Sequence, residues 1–381
     1  MNIIMFSTDQ KMWNMESDVR KRIIGYGKLV DQLHVIIYTQ RGVKREKEKI
    51  GDNVCIYPTK TRFKISYFFD AYKIGKNIIN KNQKNNQWII TTQDPFETGL
   101  IGSCIARKYK LPLIIQAHTD FLSLEFKKES LKNRIRVAMA RKTIPRASRI
   151  RVVSERIKQS IQKKYGIKES AIVVLPIYVD STKRCDRNEI KKEFGSDIFK
   201  VMMASRITKE KNIKLAIDAI SLVKGKHSNI RLLIVGDGPE RESLERYVEE
   251  RGLKKNIIFI EWTNNLTPYY CAADALLLTS NYEGYGRTPI EALSLGTPVI
   301  MTDVGCAGWI VKHDENGLIS PVKNTEVLSG NIRELIENKE QYNRLVNNTK
   351  TSIKNLSSKE EFLNQMKALF DFKEATRVDK V

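Results

Sequence analysis

A chain of 381 residues with 41% hydrophobic and 29% charged residues, 20 glycines and 10 prolines is too long for one small core, and it excludes a disordered, collagen-like or disulfide-scaffold protein. Its formal net charge of +22 is unevenly held, since residues 1–190 carry 38 Lys and Arg against 18 Asp and Glu, and residues 191–381 carry 28 against 26. The first half therefore attracts phosphate in some form: nucleic acid, an anionic membrane surface or an anionic substrate. No run approaches the roughly 18 apolar residues that span a bilayer. The opening MNIIMFSTDQ breaks with polar residues where a signal peptide would continue its apolar core, so a cytosolic chain is expected. Cys55, Cys104, Cys185, Cys271 and Cys306 are odd in number and lack Cys-x-x-Cys spacing, which reads as reduced thiols.

In chain order, short Ile- and Val-rich runs predict strands at residues 3–6, 34–38, 54–57, 88–92, 113–116, 149–153 and 172–175, with helical spacing between most of them. His118 follows the 113–116 strand, a place where a lone histidine is more often structural than functional. Between Lys127 and Lys164 stand 14 Lys and Arg against Glu129 and Glu155. Within that stretch, residues 131–144 predict a helix with Leu131, Ile135, Val137 and Ala138 toward one side and cations around the rest, suited to an anionic membrane surface. No aromatic residue falls between Phe126 and Tyr165, which argues against nucleic acid as the partner. The polar stretch 177–197 reads as a hinge.

In the second half the predicted strands are residues 200–204, 231–235, 257–260, 275–279 and 299–302. Arg206 and Lys211 follow the first of these, where a guanidinium fork and an ammonium could neutralise a diphosphate; a solvated basic loop is the plainer alternative. Gly236-Asp-Gly-Pro239 follows the second and reads as a structural turn, because the acidic helix start after it repels a pyrophosphate. After the 275–279 strand, Glu283 lies in a loop with Gly284 and Gly286, whose backbone can approach a ligand closely. Thr288-Pro-Ile-Glu291 predicts a capping box with Pro289 at the first helical position, so Glu291 reads equally as a cap partner or a ligand contact. A last helix over residues 358–372 presents Phe362, Met366, Leu369 and Phe370 on one face.

The alternation predicts an α/β chain of two Rossmann-like, doubly wound domains with a cleft between them: residues 1–180, a linker 181–197, residues 198–357, and a C-terminal helix and tail 358–381. Walker loops and Asp-x-Asp are absent, and His34, His118, His227 and His313 are scattered, so no metal and no cofactor is expected.

Glu283 and Glu291, followed by Gly-Thr-Pro-Val at 296–299 and Glu-Asn-Gly at 315–317, resemble the donor-site signature of retaining GT-B glycosyltransferases, in particular family four. Ser205-Arg206 with Lys211, the Gly-Asp-Gly-Pro turn and Tyr269-Tyr270-Cys-Ala-Ala-Asp274 fall in the family's order. In the first half the likeness is thinner, resting on Asp94-Pro95, Gln116-Ala-His118-Thr-Asp120 and Arg151-Val-Val-Ser154-Glu155. The resemblance implies a UDP- or GDP-sugar donor and a glycan acceptor, with a lipid-linked acceptor suiting the basic first half at the inner face of the membrane. It further implies that Arg206 and Lys211 hold the diphosphate and that Glu283, with the amides of Gly284, Tyr285 and Gly286, takes the donor sugar. Glu291 would bind ribose and His118 would face the sugar across the cleft. One departure is Ser7-Thr-Asp-Gln, where the family often has paired glycines. A GT-B epimerase, a phosphorylase-like protein and a basic nucleic-acid-binding protein are the competing readings.

Overall fold

Eight strands form the sheet of the first unit: β1 (Asn2–Ser7), β2 (Gln32–Ile37), β3 (Glu48–Lys49), β4 (Val54–Pro58), β5 (Trp88–Thr92), β6 (Leu113–Ala117), β7 (Arg149–Val152) and β8 (Ile172–Val174). The computed structural model describes residues 1–39, 45–61, 66–81, 87–182, 198–354 and 356–372. The chain divides into Met1–Pro176 with Ser357–Val381, and Ile177–Leu356. Residues 183–197, most of the anticipated hinge, lie outside the described residues.

The first sheet runs β3-β4-β2-β1-β5-β6-β7-β8. Its strands are parallel except for β3, which pairs antiparallel with β4. β1 is buried along its whole length between β2 and β5. The order reverses at that point, so the loops after β1 and β5 diverge. The loop after β1 lacks paired glycines and holds a short 3-10 turn, Gln10–Trp13, begun by Asp9, whose carboxylate accepts from Lys11 N at 3.0 Å.

The helix Lys359–Phe370 starts at a capping box of Ser358 and Glu361 and buries Phe362, Met366, Leu369 and Phe370, the face its spacing predicts. Arg149 Nη1 closes its other end by donating to the carbonyls of Ala368 at 2.9 Å, Leu369 at 3.1 Å and Asp371 at 2.9 Å. This ties the last helix to the first unit.

The basic helix, Leu131–Thr143, corrects its predicted face. It buries Asn133, Val137, Ala140 and Thr143, while Leu131 is 71% and Ile135 50% exposed. The buried stripe is mostly small and polar, and Val137 is its one large aliphatic residue.

The second unit holds six parallel strands: β9 (Phe199–Ala204), β10 (Ile230–Val235), β11 (Ile257–Ile260), β12 (Ala275–Leu278), β13 (Val299–Thr302) and β14 (Gly317–Ser320). Their order is β11-β10-β9-β12-β13-β14, with the reversal between β9 and β12. The helix Ile213–Lys224 buries Ile213, Leu215, Ala216 and Ala219 in one apolar core with β9 and β10. β3 and β14 were not anticipated: the first is two charged residues at an edge, and the second opens on a glycine. Gly317 is required there because a Cβ would meet Val299 O at 2.5 Å. Cys55, Cys104 and Cys306 are free thiols and Cys271 is not, which departs from the expectation of five reduced cysteines, while Cys185 lies outside the described residues.

Candidate functional site

The reversal between β9 and β12 brings two loops together at the carboxyl ends of these strands, the usual ligand position of a doubly wound sheet. The loop after β9 is held from both sides. Ile207 N donates to Asp237 O at 2.9 Å, and the Gly236-Asp-Gly turn packs so close that a Cβ on Gly236 would lie 1.9 Å from Ser205 O and one on Gly238 2.3 Å from Ile207 O. These glycines are therefore structural, as their acidic surroundings implied. On the other side Thr279 Oγ1 donates to Lys211 O at 2.9 Å and to Asn212 O at 3.0 Å, while Asn281 N donates to Glu210 O at 2.8 Å.

This double clamp joins two of the predicted residues. Lys211 Nζ donates to Glu283 Oε1 at 2.5 Å, with the side chains only 19% and 14% exposed. Ser280 Oγ donates to the same oxygen at 2.8 Å. A half-buried ammonium and carboxylate offset each other's desolvation, and either would be strongly destabilising alone. Arg206 is placed differently: its side chain is 75% exposed and meets Glu210 Oε1 at 3.2 Å rather than Lys211 or Glu283.

Gly286 takes φ +84° and starts the helix Arg287–Ser294 with no side-chain cap. The helix begins two residues before Pro289, so Thr288 lies inside the first turn and the predicted capping box does not form. This corrects the reading of Glu291 as a cap partner: its carboxylate accepts from Tyr270 Oη at 2.8 Å and pairs with Arg287 Nη2 at 3.1 Å. Burial and then the neighbouring Glu291 hold the Tyr270 phenol well above its usual pKa, so it stays a donor. With a glycine in place of a capping side chain, the first-turn amides keep their hydrogen-bonding capacity and the positive end of the helix dipole for an anion.

Gly305 and Trp309, which the sequence did not single out, join this loop cluster beside Tyr285 and Asn316, which it did. Gly305, at φ +58°, lets the loop after β13 touch the Glu283 loop, since a Cβ would fall 2.7 Å from Tyr285 O and 3.0 Å from Glu283 Cβ. Its position three residues beyond a strand end was the available signal. Tyr285 is buried, with its ring centroid 6.1 Å from that of Trp309. Asn316, fully buried, accepts from Lys312 N at 2.8 Å and donates to Ile310 O at 2.7 Å, which gives the Glu-Asn-Gly run a structural task.

His118 follows β6 in the first unit, with Nε2 3.3 Å from Gln116 Oε1 and Nδ1 buried without a protein partner. Burial, then Arg151 and Arg22, push its pKa well below the usual imidazole value. Among the described residues no three His, Cys, Asp or Glu side chains gather where they could hold a metal ion.

Residues 28–183 match the family model Glycosyltransferase Family 4, and residues 186–352 match Glycosyl transferases group 1. An uncharacterized glycosyltransferase of Methanocaldococcus jannaschii is 29% identical over 333 residues, which is 86% of either chain. The alpha-monoglucosyldiacylglycerol synthase of Acholeplasma laidlawii is 24% identical over 270 residues, covering 66% of this chain and 68% of its own. Among solved structures, Anabaena Alr3699/HepE in complex with UDP-glucose aligns with a TM-score of 0.74 at 20% identity over 97% of this chain and 98% of the other.

Proposed function

Because the chain belongs to the group 1, family-four glycosyltransferases of GT-B fold, we propose that it moves a hexose-type sugar from a UDP- or GDP-sugar to a glycan acceptor with retention of anomeric configuration and without a metal. The observation that carries this reading is the Lys211–Glu283 pair beside the open N-terminus of the Arg287–Ser294 helix. A donor diphosphate offers Lys211 a more highly charged partner than one carboxylate. Lys211 then turns to the phosphates and Glu283 is freed to accept hydrogen bonds from sugar hydroxyls. Exposed Arg206 exchanges Glu210 for the same diphosphate. Glu291, already accepting from Tyr270, takes the ribose hydroxyls with its remaining lone pairs.

As the bond between the anomeric carbon and the leaving phosphate oxygen breaks, negative charge grows on the diphosphate. Lys211, Arg206 and the helix amides stabilise that charge. The acceptor hydroxyl bonds to the anomeric carbon from the same face, and its proton passes to the leaving phosphate oxygen, which conserves configuration. His118 contributes a hydrogen bond to a substrate hydroxyl. The reading is tested by incubating the protein with a panel of UDP- and GDP-sugars and a membrane extract in excess EDTA. Nucleoside diphosphate release and a glycosylated product are expected; loss of both, restored by manganese or magnesium, would overturn the metal-free scheme.

The acceptor in this reading is lipid-linked and met at an anionic inner leaflet. No helix among the described residues is long and apolar enough to cross a membrane. The first unit instead presents exposed Leu124, Leu131 and Ile135 beside exposed Lys128, Lys132, Arg134, Arg141 and Lys142. Cations near an anionic leaflet are worth about 1 kcal/mol each, and the aliphatic residues add buried apolar area. Arg136 is not part of this surface, because it pairs with Glu97 at 3.0 Å. Flotation with anionic liposomes should succeed at low salt and weaken as salt rises. A Lys132→Glu, Arg134→Glu, Arg141→Glu, Lys142→Glu variant should float poorly, and a wild-type protein that ignores anionic liposomes at low salt would refute the placement.

A further inference from the structure

We infer that Gln116 and Arg151 are positioning residues that lock His118 as its Nε2–H tautomer, so that Nδ1 is left as a hydrogen-bond acceptor. The inference rests on the proposed role of His118 in transfer, and its argument is one of donors and acceptors. Arg151 Nη1 lies 2.8 Å from Gln116, and a guanidinium only donates, so the Gln116 atom facing it is the carbonyl Oε1. The amide is fixed from its other end as well, since Gln116 Nε2 donates to Thr91 Oγ1 at 3.0 Å. The same Oε1 lies 3.3 Å from His118 Nε2. A carbonyl oxygen only accepts, and the ring proton must therefore sit on Nε2. In a neutral imidazole that leaves a lone pair on Nδ1, the atom that is buried with no protein partner.

Arg151 is well built for this task. It is 2% exposed, and Nε and Nη2 donate to Leu175 O at 3.0 Å and Pro176 O at 3.2 Å, with the guanidinium carbon 5.8 Å from the Phe362 ring centroid. No carboxylate pairs with it among the described residues. A hydrogen-bonded but un-neutralised buried cation is costly for stability alone. Burial of the ring first, and then the charge of Arg151 with that of Arg22 on the helix Asp18–Gly27, disfavour the imidazolium, while the Arg151 fork orients Gln116. A carboxylate in place of either arginine would favour His118⁺ and turn Nδ1 into a donor. The charged groups that act on the ring are thus Arg151 from β7 and Arg22 from that helix, both positive.

The test is a long-range proton–nitrogen correlation spectrum of the ¹⁵N-histidine-labelled full chain at pH 7, with the His118 signals identified by their loss in His118→Gln. The expected result is a protonated Nε2 and an unprotonated Nδ1 in the wild type. In Gln116→Met and Arg151→Met the two tautomers should mix, and in Arg151→Met the ring should titrate at higher pH, moving the acid limb of the kcat profile upward. A wild-type Nδ1–H signal, or an unchanged single tautomer in the variants, would overturn the inference. Should Arg151→Met fail to fold, the wild-type spectrum and Gln116→Met decide it. Full turnover in His118→Ala would refute the role of His118 in transfer while leaving the tautomer to the spectrum.

Discussion

Lys211→Met is expected to lower kcat by roughly 10²- to 10³-fold, the scale for removing one preorganised group at a developing anion. Of the two cations proposed for the diphosphate, Lys211 has the fixed position: its backbone carbonyl accepts from Thr279 and its Nζ already sits in a half-buried pair with Glu283. Once the donor has drawn Nζ from Glu283 to the phosphates, the ammonium is in place before the bond breaks. Arg206→Ala should lose less, because its side chain is 75% exposed and works through a higher dielectric. Steady-state kinetics of both variants measures the order, and full turnover in Lys211→Met would remove the cationic mechanism.

Glu283→Gln should reduce sugar transfer by about 10- to 10²-fold, since it replaces charged hydrogen bonds to sugar hydroxyls by neutral ones. Its amide still accepts from Ser280 Oγ, so the loop should keep its shape. Nucleoside diphosphate affinity should hold or rise, because the substitution removes the carboxylate that competes for Lys211, while thermal stability should fall with the loss of the ion pair. Glu291→Gln should show the reverse pattern, weaker nucleotide binding without the stability loss of a broken cap, as no cap exists there. Isothermal titration with UDP and GDP, beside thermal unfolding, separates the two glutamates; equal nucleotide affinity in wild type and Glu291→Gln would contradict the ribose contact.

Both doubly wound sheets were legible because their central strands, such as 3–6 and 231–235, are buried Ile- and Val-rich runs separated by helical spacing. β3 and β14 were not, since two charged edge residues and a glycine-led run carry no such pattern. Glu283 stood out in the sequence as an acid in a glycine-flanked loop, but its partners Lys211 and Ser280 were not legible there. Of the two readings of Glu291 the capping one fails, because Thr-x-x-Glu with proline imitates a helix start while the left-handed turn at Gly286 sets the real one at Arg287. Leu131 and Ile135 were grouped with Val137 on one side of their helix, but only Val137 is buried: hydrophobic spacing marks apolar residues without showing which face the neighbouring elements cover. The Lys211–Glu283 pair joins residues 72 apart and follows only from the reversal of strand order between β9 and β12.

The central claim, sugar transfer from a nucleotide donor at the Lys211–Glu283 site with retention, is tested most directly by following the anomeric proton of the product as it forms. With whichever α-linked UDP- or GDP-sugar supports turnover in EDTA, the account predicts a new α linkage, one nucleoside diphosphate released per linkage, and loss of both signals in Lys211→Met. A β-linked product, or turnover undiminished in Lys211→Met, would contradict it.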